Sequence, residues 1–315
     1  MKILISGGTG LIGKPLVNSL LEDKHQVSVL TRSPERARLT LPQGAIPVGW
    51  DGRTPDGWGE VINETDAVIN LAGESLTGGT ITAILTDRWT SQKKTRIIES
   101  RVNAGRAISE AIRAAKTKPE VLIQSSAVGY YSPSGTRILT EDSPAGSDFS
   151  AQTCLQWEKS TKAVEELGVR RVILRTGLVF TMEGGVLPLM LLPFRLFVGG
   201  ALGDGTQPLP WIHIRDEIEA IKFLITNPRL QGVFNLSAPN PVDYNQYAKI
   251  AAKVLKRPNW LRVPAFALKL ALGEKAALVL QGQHALPERL LQSGYKFTFK
   301  TLDAALTDLI EGNGD

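Results

Sequence analysis

The sequence predicts an α/β protein: a Rossmann-type, doubly wound parallel sheet with a smaller C-terminal lobe. Three observations predict it. Short β-branched apolar runs alternate with stretches of helical spacing from the first residues onward. A glycine-rich turn follows the first run directly. After Phe180 the alternation gives way to a stretch dense in Gly and Pro.

In order, KILIS (Lys2–Ser6) reads as a buried strand, SGGTGLIG (Ser6–Gly13) as a turn and PLVNSLLED (Pro15–Asp23) as a helix. HQVSVLTR (His25–Arg32), AIPVGW ending at Trp50, and DAVINLAG (Asp66–Gly73) read as strands. A long helix covers about residues 92–116, then EVLIQSSA (Glu120–Ala127) forms another strand. SAQTCLQWEKSTKAVEEL (Ser150–Leu167) reads as one helix and VRRVILRTG (Val169–Gly177) as a strand. Strands apolar on both faces and joined by helices belong to a parallel sheet covered on both sides, with right-handed crossovers. WIHIRDEIEAIKFLI (Trp211–Ile225) reads as a helix and GVFNLSA (Gly232–Ala238) as a strand returning to the core. Asp243 is placed to cap a helix over 243–255 that opens the lobe. The expected division is a core of 1–182 with 211–238, and a lobe of 183–210 with 239–315.

Composition narrows the function classes. The chain has 315 residues, 43% of them hydrophobic, enough for a large core. The longest apolar run, Val186–Phe194, is too short for a membrane span and holds two prolines. The opening residues lack the order of a secretory signal. A single cysteine, Cys154, and three separated histidines leave no disulfide and no metal spacing. A cytoplasmic setting is expected. The net charge of +5 is concentrated in residues 86–118, where nine basic and three acidic residues give +6 and leave −1 elsewhere. That run reads as a solvated helix face or as a docking surface for an acidic partner. No aromatic platform accompanies it, so nucleic acid is not expected.

The turn carries the clearest chemistry. Gly7 allows its tight bend, Gly10 the approach of a pyrophosphate, and Gly13 close packing of the helix. Thr9, Leu11 and Ile12 complete it, and the helix start offers N–H groups and a positive dipole end to phosphate. NAD-binding strands usually end in an acid that takes the ribose hydroxyl. Here Thr31-Arg32-Ser33 stands instead, with no acid before Glu35. A guanidinium fork suits a 2′-phosphate, so the expected cofactor is NADP(H). Trp50 and Asp51 are expected near the adenine edge. Leu71, Ala72 and Gly73 are expected beneath the ribose and pyrophosphate.

Together, the TGxxG turn, NLAG (Asn70–Gly73), Asn103 and Ser125–Ala127 resemble the extended short-chain dehydrogenase/reductase superfamily. Arg88–Val102, Ser125–Ser132, Trp157–Phe180, Leu209–Ile218 and the tail Val263–Phe297 look like its atypical "epimerase family protein" branch. That branch is grouped with the NAD-dependent epimerase/dehydratases and carries its own C-terminal domain. Some of its cyanobacterial and plastid members are labelled cell-division inhibitors. The resemblance implies NADP(H) on a Rossmann core, with the lobe over the cofactor, but no particular reaction. Superfamily dimers pair the two helices that here are 92–116 and 151–167, so a monomer or a homodimer is expected.

Working members of the superfamily use a Ser or Thr with a Tyr-x-x-x-Lys pair. None of the five tyrosines here is followed by lysine four residues on. Counting back from the glutamates puts Trp157 and Thr161 at the pair's positions; a shifted register puts Cys154 and Glu158 there. Ser126, with Ser125 as the near alternative, matches the serine. Tyr130, or Tyr131, is the candidate replacement phenol, against the reading that both simply pack. The expected catalytic residues are therefore Ser126 and Tyr130, in an oxidoreductase or epimerase. The other reading is a cofactor-bound regulator, of cell or plastid division by the family label.

Overall fold

A computed structural model describes residues 1–75 and 89–312. Its centre is a seven-stranded sheet. The strands in chain order are β1 (Lys2–Ser6), β2 (Gln26–Thr31), β3 (Ile46–Gly49), β4 (Ala67–Asn70), β5 (Val121–Ala127), β6 (Arg170–Thr176) and β7 (Gly232–Leu236). They lie in the spatial order β7-β6-β5-β4-β1-β2-β3. Every pairing is parallel. The order reverses at β1, and the crevice beside that switch, at the carboxyl ends of the strands, is where such sheets take their ligands.

The apolar strands are buried on both faces, as the sequence predicts. One face packs Ile3, Ile5, Val27, Val29 and Ile123 against helices Gly13–Glu22 and Ile214–Thr226. The other packs Leu4, Val68 and Leu122 under helix Ser91–Ala114. That helix carries Lys93 and Arg101 on its buried side, so the basic run 86–118 is not one continuous exposed strip. Its first three residues, including Asp87 and Arg88, lie outside the described residues. Gly105 lets the next helix approach: a Cβ there would stand 1.9 Å from Ser160 Oγ.

Two predicted helices are shorter than expected. The 150–167 stretch is an α-helix over Phe149–Lys159 followed by a tighter 3-10 segment, Lys162–Leu167. Between them Ser160 turns its hydroxyl onto the Trp157 carbonyl at 2.6 Å, the local competition by which serine shortens helices. Residues Trp211–His213 are a strand, paired in parallel with Leu178–Phe180, before the helix begins at Ile214. That pairing is non-local, and periodicity cannot reveal it.

In the C-terminal part, Phe180, Phe194, Trp211 and Tyr247 form a second core with helices Leu187–Arg195, Tyr244–Leu255 and Leu302–Glu311. Asp243 caps its helix in a reciprocal box with Gln246. Asp216 ties the tail down, its carboxylate accepting the N–H groups of Thr298 at 2.7 Å and Phe299 at 2.8 Å. Among the described residues no helix is long and apolar enough to cross a membrane.

Candidate functional site

The glycine turn has the stereochemistry its spacing predicts. Gly7 takes φ +73°, and a Cβ on it would lie 2.8 Å from the backbone of Leu71. On Gly13 a Cβ would stand 2.2 Å from the Gly7 carbonyl oxygen, so only glycine lets the helix meet the strand here. Gly10 is less confined, since the single atom its Cβ would meet is the Gly7 carbonyl oxygen, at a tight 3.2 Å. Thr9, Gly10 and Leu11 are exposed, and Ile12 opens the helix with no capping side chain over its first N–H groups. Two variants separate these roles. Gly13→Ala is expected to cost about 1–3 kcal/mol by overpacking backbone against backbone. Gly10→Ala is expected to keep stability within about 1 kcal/mol while weakening cofactor uptake. Urea midpoints and titration calorimetry on the two proteins check this.

At the outer end, Thr31 finishes β2 and its hydroxyl accepts the Ser33 N–H at 3.2 Å. Ser33 stands at the N-cap of helix Pro34–Thr40 without spending its side chain on the cap. Arg32 is exposed and forms no ion pair among the described residues. Glu35, the nearest acid, is neutralised by Arg38 on its own helix. Trp50 is buried edge-on against Trp58, with ring centroids 5.9 Å apart, and its indole N–H has no partner among the described residues. The Asp51 carboxylate folds onto its own turn and accepts from the N–H groups of Arg53 (2.7 Å) and Thr54 (2.8 Å). These bonds, Thr54's first, hold its pKa below the usual carboxylate range.

Beneath the crevice runs a buried polar row. Ser6, Asn70 and Gln124 are register partners on β1, β4 and β5. Ser6 donates to Asn70 Oδ1 at 2.6 Å, and Asn70 Nδ2 donates to Gln124 at 2.9 Å. The ladder fixes the chain end that carries Leu71, Ala72 and Gly73. Gly73 is exposed, and Arg101 fills the space where its Cβ would be.

A second row lies at the inner end, where Ser126, Arg175 and Asn235 are register partners on β5, β6 and β7. Ser126 Oγ donates to Glu158 Oε1 at 2.7 Å. Arg175 grips the same carboxylate through both arms, Nε to Oε1 at 2.9 Å and Nη2 to Oε2 at 3.0 Å. Its third nitrogen donates to the Tyr131 hydroxyl at 3.0 Å, which in turn donates to Asn235 Oδ1 at 2.7 Å. Arg175 and Glu158 are both nearly buried. Burial alone lowers the pKa of Arg175, but the bonds to Glu158 and its charge outweigh that and raise it. Burial pushes Tyr131 up to about 12 despite the neighbouring guanidinium, so it stays a neutral phenol. Tyr130 lies flat under Arg175, the guanidinium carbon 3.3 Å from its ring centroid. Ser125, one residue earlier, is buried and its carbonyl accepts from Gln124 Nε2 at 2.7 Å.

The helix over Phe149–Lys159 therefore turns Cys154 and Glu158 toward Ser126, not Trp157 and Thr161. The Cys154 thiol donates to the Ala127 carbonyl at 3.7 Å. Trp157 packs instead beneath Arg101, 5.0 Å from ring centroid to guanidinium, and Thr161 is wholly buried beside Arg171. A three-residue register error turns the chosen positions by about 60° around the helix, which moves the choice from the face on Ser126 to the adjacent face on Arg101. Sequence reasoning also missed Arg175 and Asn235. The signal available was an arginine following the apolar run VIL near the carboxyl end of the strand RRVILRT.

The profile of the NAD dependent epimerase/dehydratase family matches residues 3–237, and that of a domain of unknown function, DUF1731, matches residues 263–309. The chain belongs to the NAD-dependent epimerase/dehydratase family. Within this family it is 41% identical to the epimerase family protein YfhF of Bacillus subtilis (strain 168), covering 98% of each chain. It is 37% identical to the chloroplastic epimerase family protein SDR39U1 homolog of Arabidopsis thaliana, over 99% of this chain and 87% of that protein. Among solved structures, human epimerase family protein SDR39U1 (isoform 2) with NADPH superposes with a TM-score of 0.86 at 31% identity, covering 99% of each chain. The family assignment and the extra C-terminal domain agree with the resemblance carried by the sequence motifs. The family binds a nicotinamide dinucleotide, and the open Gly10 edge, the uncapped helix start and the solvent-facing Arg32 fit such a group.

Proposed function

We propose that this protein is an NADP(H)-dependent oxidoreductase or epimerase in which Ser126, Glu158 and Arg175 replace the missing Tyr-Lys pair. One observation carries the reading. The serine that the superfamily places at the end of this strand donates its hydrogen to a carboxylate 2.7 Å away, and that carboxylate is locked by a two-armed guanidinium.

The residues that hold the cofactor are Gly7, Gly10 and the first turn at Leu11–Gly13, with Arg32 and Ser33 at a 2′-phosphate. Once bound, the nicotinamide supplies the hydride donor or acceptor. The chain handles the proton. Because Ser126 already donates to Glu158, its lone pairs remain to accept from a substrate hydroxyl. When that proton arrives, Ser126 passes its own to the carboxylate. Arg175 orients the carboxylate and balances its charge before the transfer. Burial first, then the charge of Glu158, pushes the Cys154 thiol up to about 11. It therefore stays protonated at neutral pH and is not the nucleophile.

The NADPH-bound human relative and the unpaired Arg32 support the choice of phosphorylated cofactor. Arg32→Asp is expected to weaken NADPH binding about 100-fold or more, the loss of a charge-assisted pair plus repulsion, and to leave NADH within a few-fold. Titration calorimetry with both cofactors measures it; equal losses for the two sink the 2′-phosphate assignment. For the chemistry, nucleotide sugars, aldehydes and ketones are offered with NADPH. Turnover that disappears in Ser126→Ala and persists in Tyr130→Phe supports the relay. Tight NADPH binding with no turnover of any substrate class favours the second reading, a cofactor-bound regulator. The two-armed pairing of Glu158 is compatible with that role, because a carboxylate so held also serves as structure.

A further inference from the structure

Beyond helices Leu187–Arg195 and Tyr244–Leu255 the chain leaves large apolar side chains uncovered. Phe197 is 54% exposed, Trp260 68%, Phe266 73% and Leu270 81%, beside Leu196 and Leu261. The two strands of chain that carry most of them are laced together. The Trp260 and Leu261 N–H groups donate to the Gly199 carbonyl at 3.1 and 3.2 Å, and Trp260 Nε1 donates to the Phe197 carbonyl at 2.9 Å. The following helix, Ala265–Leu272, buries none of its eight residues, although its sequence is AFALKLAL. Monomeric surfaces rarely leave so many large apolar side chains clustered without a function.

The charges carried by the two segments of this face are of one sign; the flanking acids are Asp204, whose charge reaches Arg262, and Glu274, which pairs with Lys94. Segments 184–203 and 254–273 hold Arg195, Lys256, Arg257, Arg262 and Lys269 and not one carboxylate. All five cations are exposed, and none forms an ion pair among the described residues. Arg257 covers the Phe197 ring at 4.5 Å, and Asp204, just outside the segment, spends its carboxylate on Thr206. A second copy of the chain is a poor occupant, because a two-fold contact would press five cations against five. Protein interfaces also tend to exclude lysine from their centres. Protruding Trp, Phe and Leu ringed by Lys and Arg match instead the boundary layer of a bilayer with anionic headgroups.

We infer that this face of the C-terminal lobe docks the protein on an anionic lipid surface, with Trp260, Phe197, Phe266 and Leu270 entering the headgroup boundary and the five cations meeting lipid phosphate. The protein lies on the membrane and does not cross it. None of the side chains assigned to docking belongs to the glycine turn or to the Ser126 row, so the inference does not rest on the proposed chemistry.

Sedimentation of the full chain with vesicles tests this. Phosphatidylcholine alone is compared with phosphatidylcholine mixed with phosphatidylglycerol, at low and high salt. The expected result is uptake by the mixed vesicles only, weakened by salt. Leu270→Ser and Trp260→Ser are each expected to lower partition roughly tenfold, the effect of withdrawing one large side chain from the apolar phase. Arg257→Glu combined with Lys269→Glu is expected to abolish the preference for anionic lipid. Leu270→Ser is the decisive variant, since this side chain is the least covered by the fold. Absence of uptake, or uptake that both apolar variants retain, overturns the inference. The second of those outcomes assigns binding to the basic stretch 91–118, which the variants leave intact. Light scattering that finds a dimer lost in Leu270→Ser, or an acidic protein captured through this face, overturns it as well if mixed vesicles take up nothing.

Discussion

Arg175→Met alone, and Glu158→Gln alone, are each expected to lose about 3–5 kcal/mol of stability, while Glu158→Leu combined with Arg175→Met recovers most of it. The asymmetry follows from burial. Arg175 is 4% exposed and Glu158 11%, so each has surrendered most of its water and depends on the other. Removing one partner leaves a charge in a place where water cannot reach it. Replacing both fills the space with apolar side chains of similar volume, with only Ser126, Tyr131 and the Glu141 carbonyl losing a bond. Denaturant midpoints for the three variants and the parent settle it. If the double variant falls by the sum of the single losses, the pair is not coupled and the distances of 2.9 and 3.0 Å misrepresent its energetics.

The same experiment separates architecture from chemistry. A double variant that folds, binds cofactor and turns nothing over places the carboxylate in the reaction. One that folds and still turns substrate over removes Glu158 from the proton path and leaves Ser126 alone. The cofactor contacts are expected to be indifferent, because the pair belongs to the β5–β6–β7 end of the sheet and the glycine turn to β1. Sites that share no contacts generally add their effects independently.

What the sequence made legible is what local physics dictates. Gly7 and Gly13 were readable because a tight turn and a close approach leave no room for Cβ whatever the rest of the chain does, and Gly10 because its spacing from them is local. Arg32 was readable because strand β2 ends where its apolar run ends, and Asp243 because a cap acts within three residues. Ser126 was readable as a strand end. The rest of the inner site was not. Arg175 meets Tyr131 across 44 residues, and Tyr131 meets Asn235 across 104. Neither contact has a local signature. Choosing between Trp157 and Cys154 needs the helix's rotation about its axis, which is fixed by the Arg101–Trp157 stack and the Gly105 approach, both tertiary. The strand at Trp211–His213 was lost for the same reason, since its partner is Leu178–Phe180.

A buried acid on the other side of β6 makes stability depend on pH in a direction opposite to most carboxylates. Glu217 lies in the first turn of helix Ile214–Thr226, almost wholly buried. Thr176 Oγ1 donates to its Oε1 at 2.9 Å, and its Oε2 has no partner among the described residues. Two local effects favour the ionised form, the Thr176 bond and the positive end of the helix dipole. Burial outweighs both and pushes the pKa up to about 8. The unfolded chain loses this proton near pH ~4.3. Between that value and about 8 the native state holds a proton that the unfolded state has lost. Stability from this group is therefore full below the unfolded pKa and falls as pH rises through the window, by at most about 1.4 kcal/mol per unit. Above about 8 both states are ionised and the slope vanishes. Glu217→Gln keeps an acceptor for Thr176 and never ionises. It is expected to match the parent near pH 4, to lead it by about 1 kcal/mol at pH 5 and to exceed it by a few kcal/mol at pH 8. Taking the difference between the two proteins at each pH cancels every other titrating group, including Glu141, which burial also raises. If the two stability curves instead run parallel from pH 5 to 8, Glu217 is already charged in the fold, and its Oε2 must have found a cation or donor beyond the protein's own side chains. Thr176 is the last residue of β6, at the carboxyl edge of the sheet where the crevice opens.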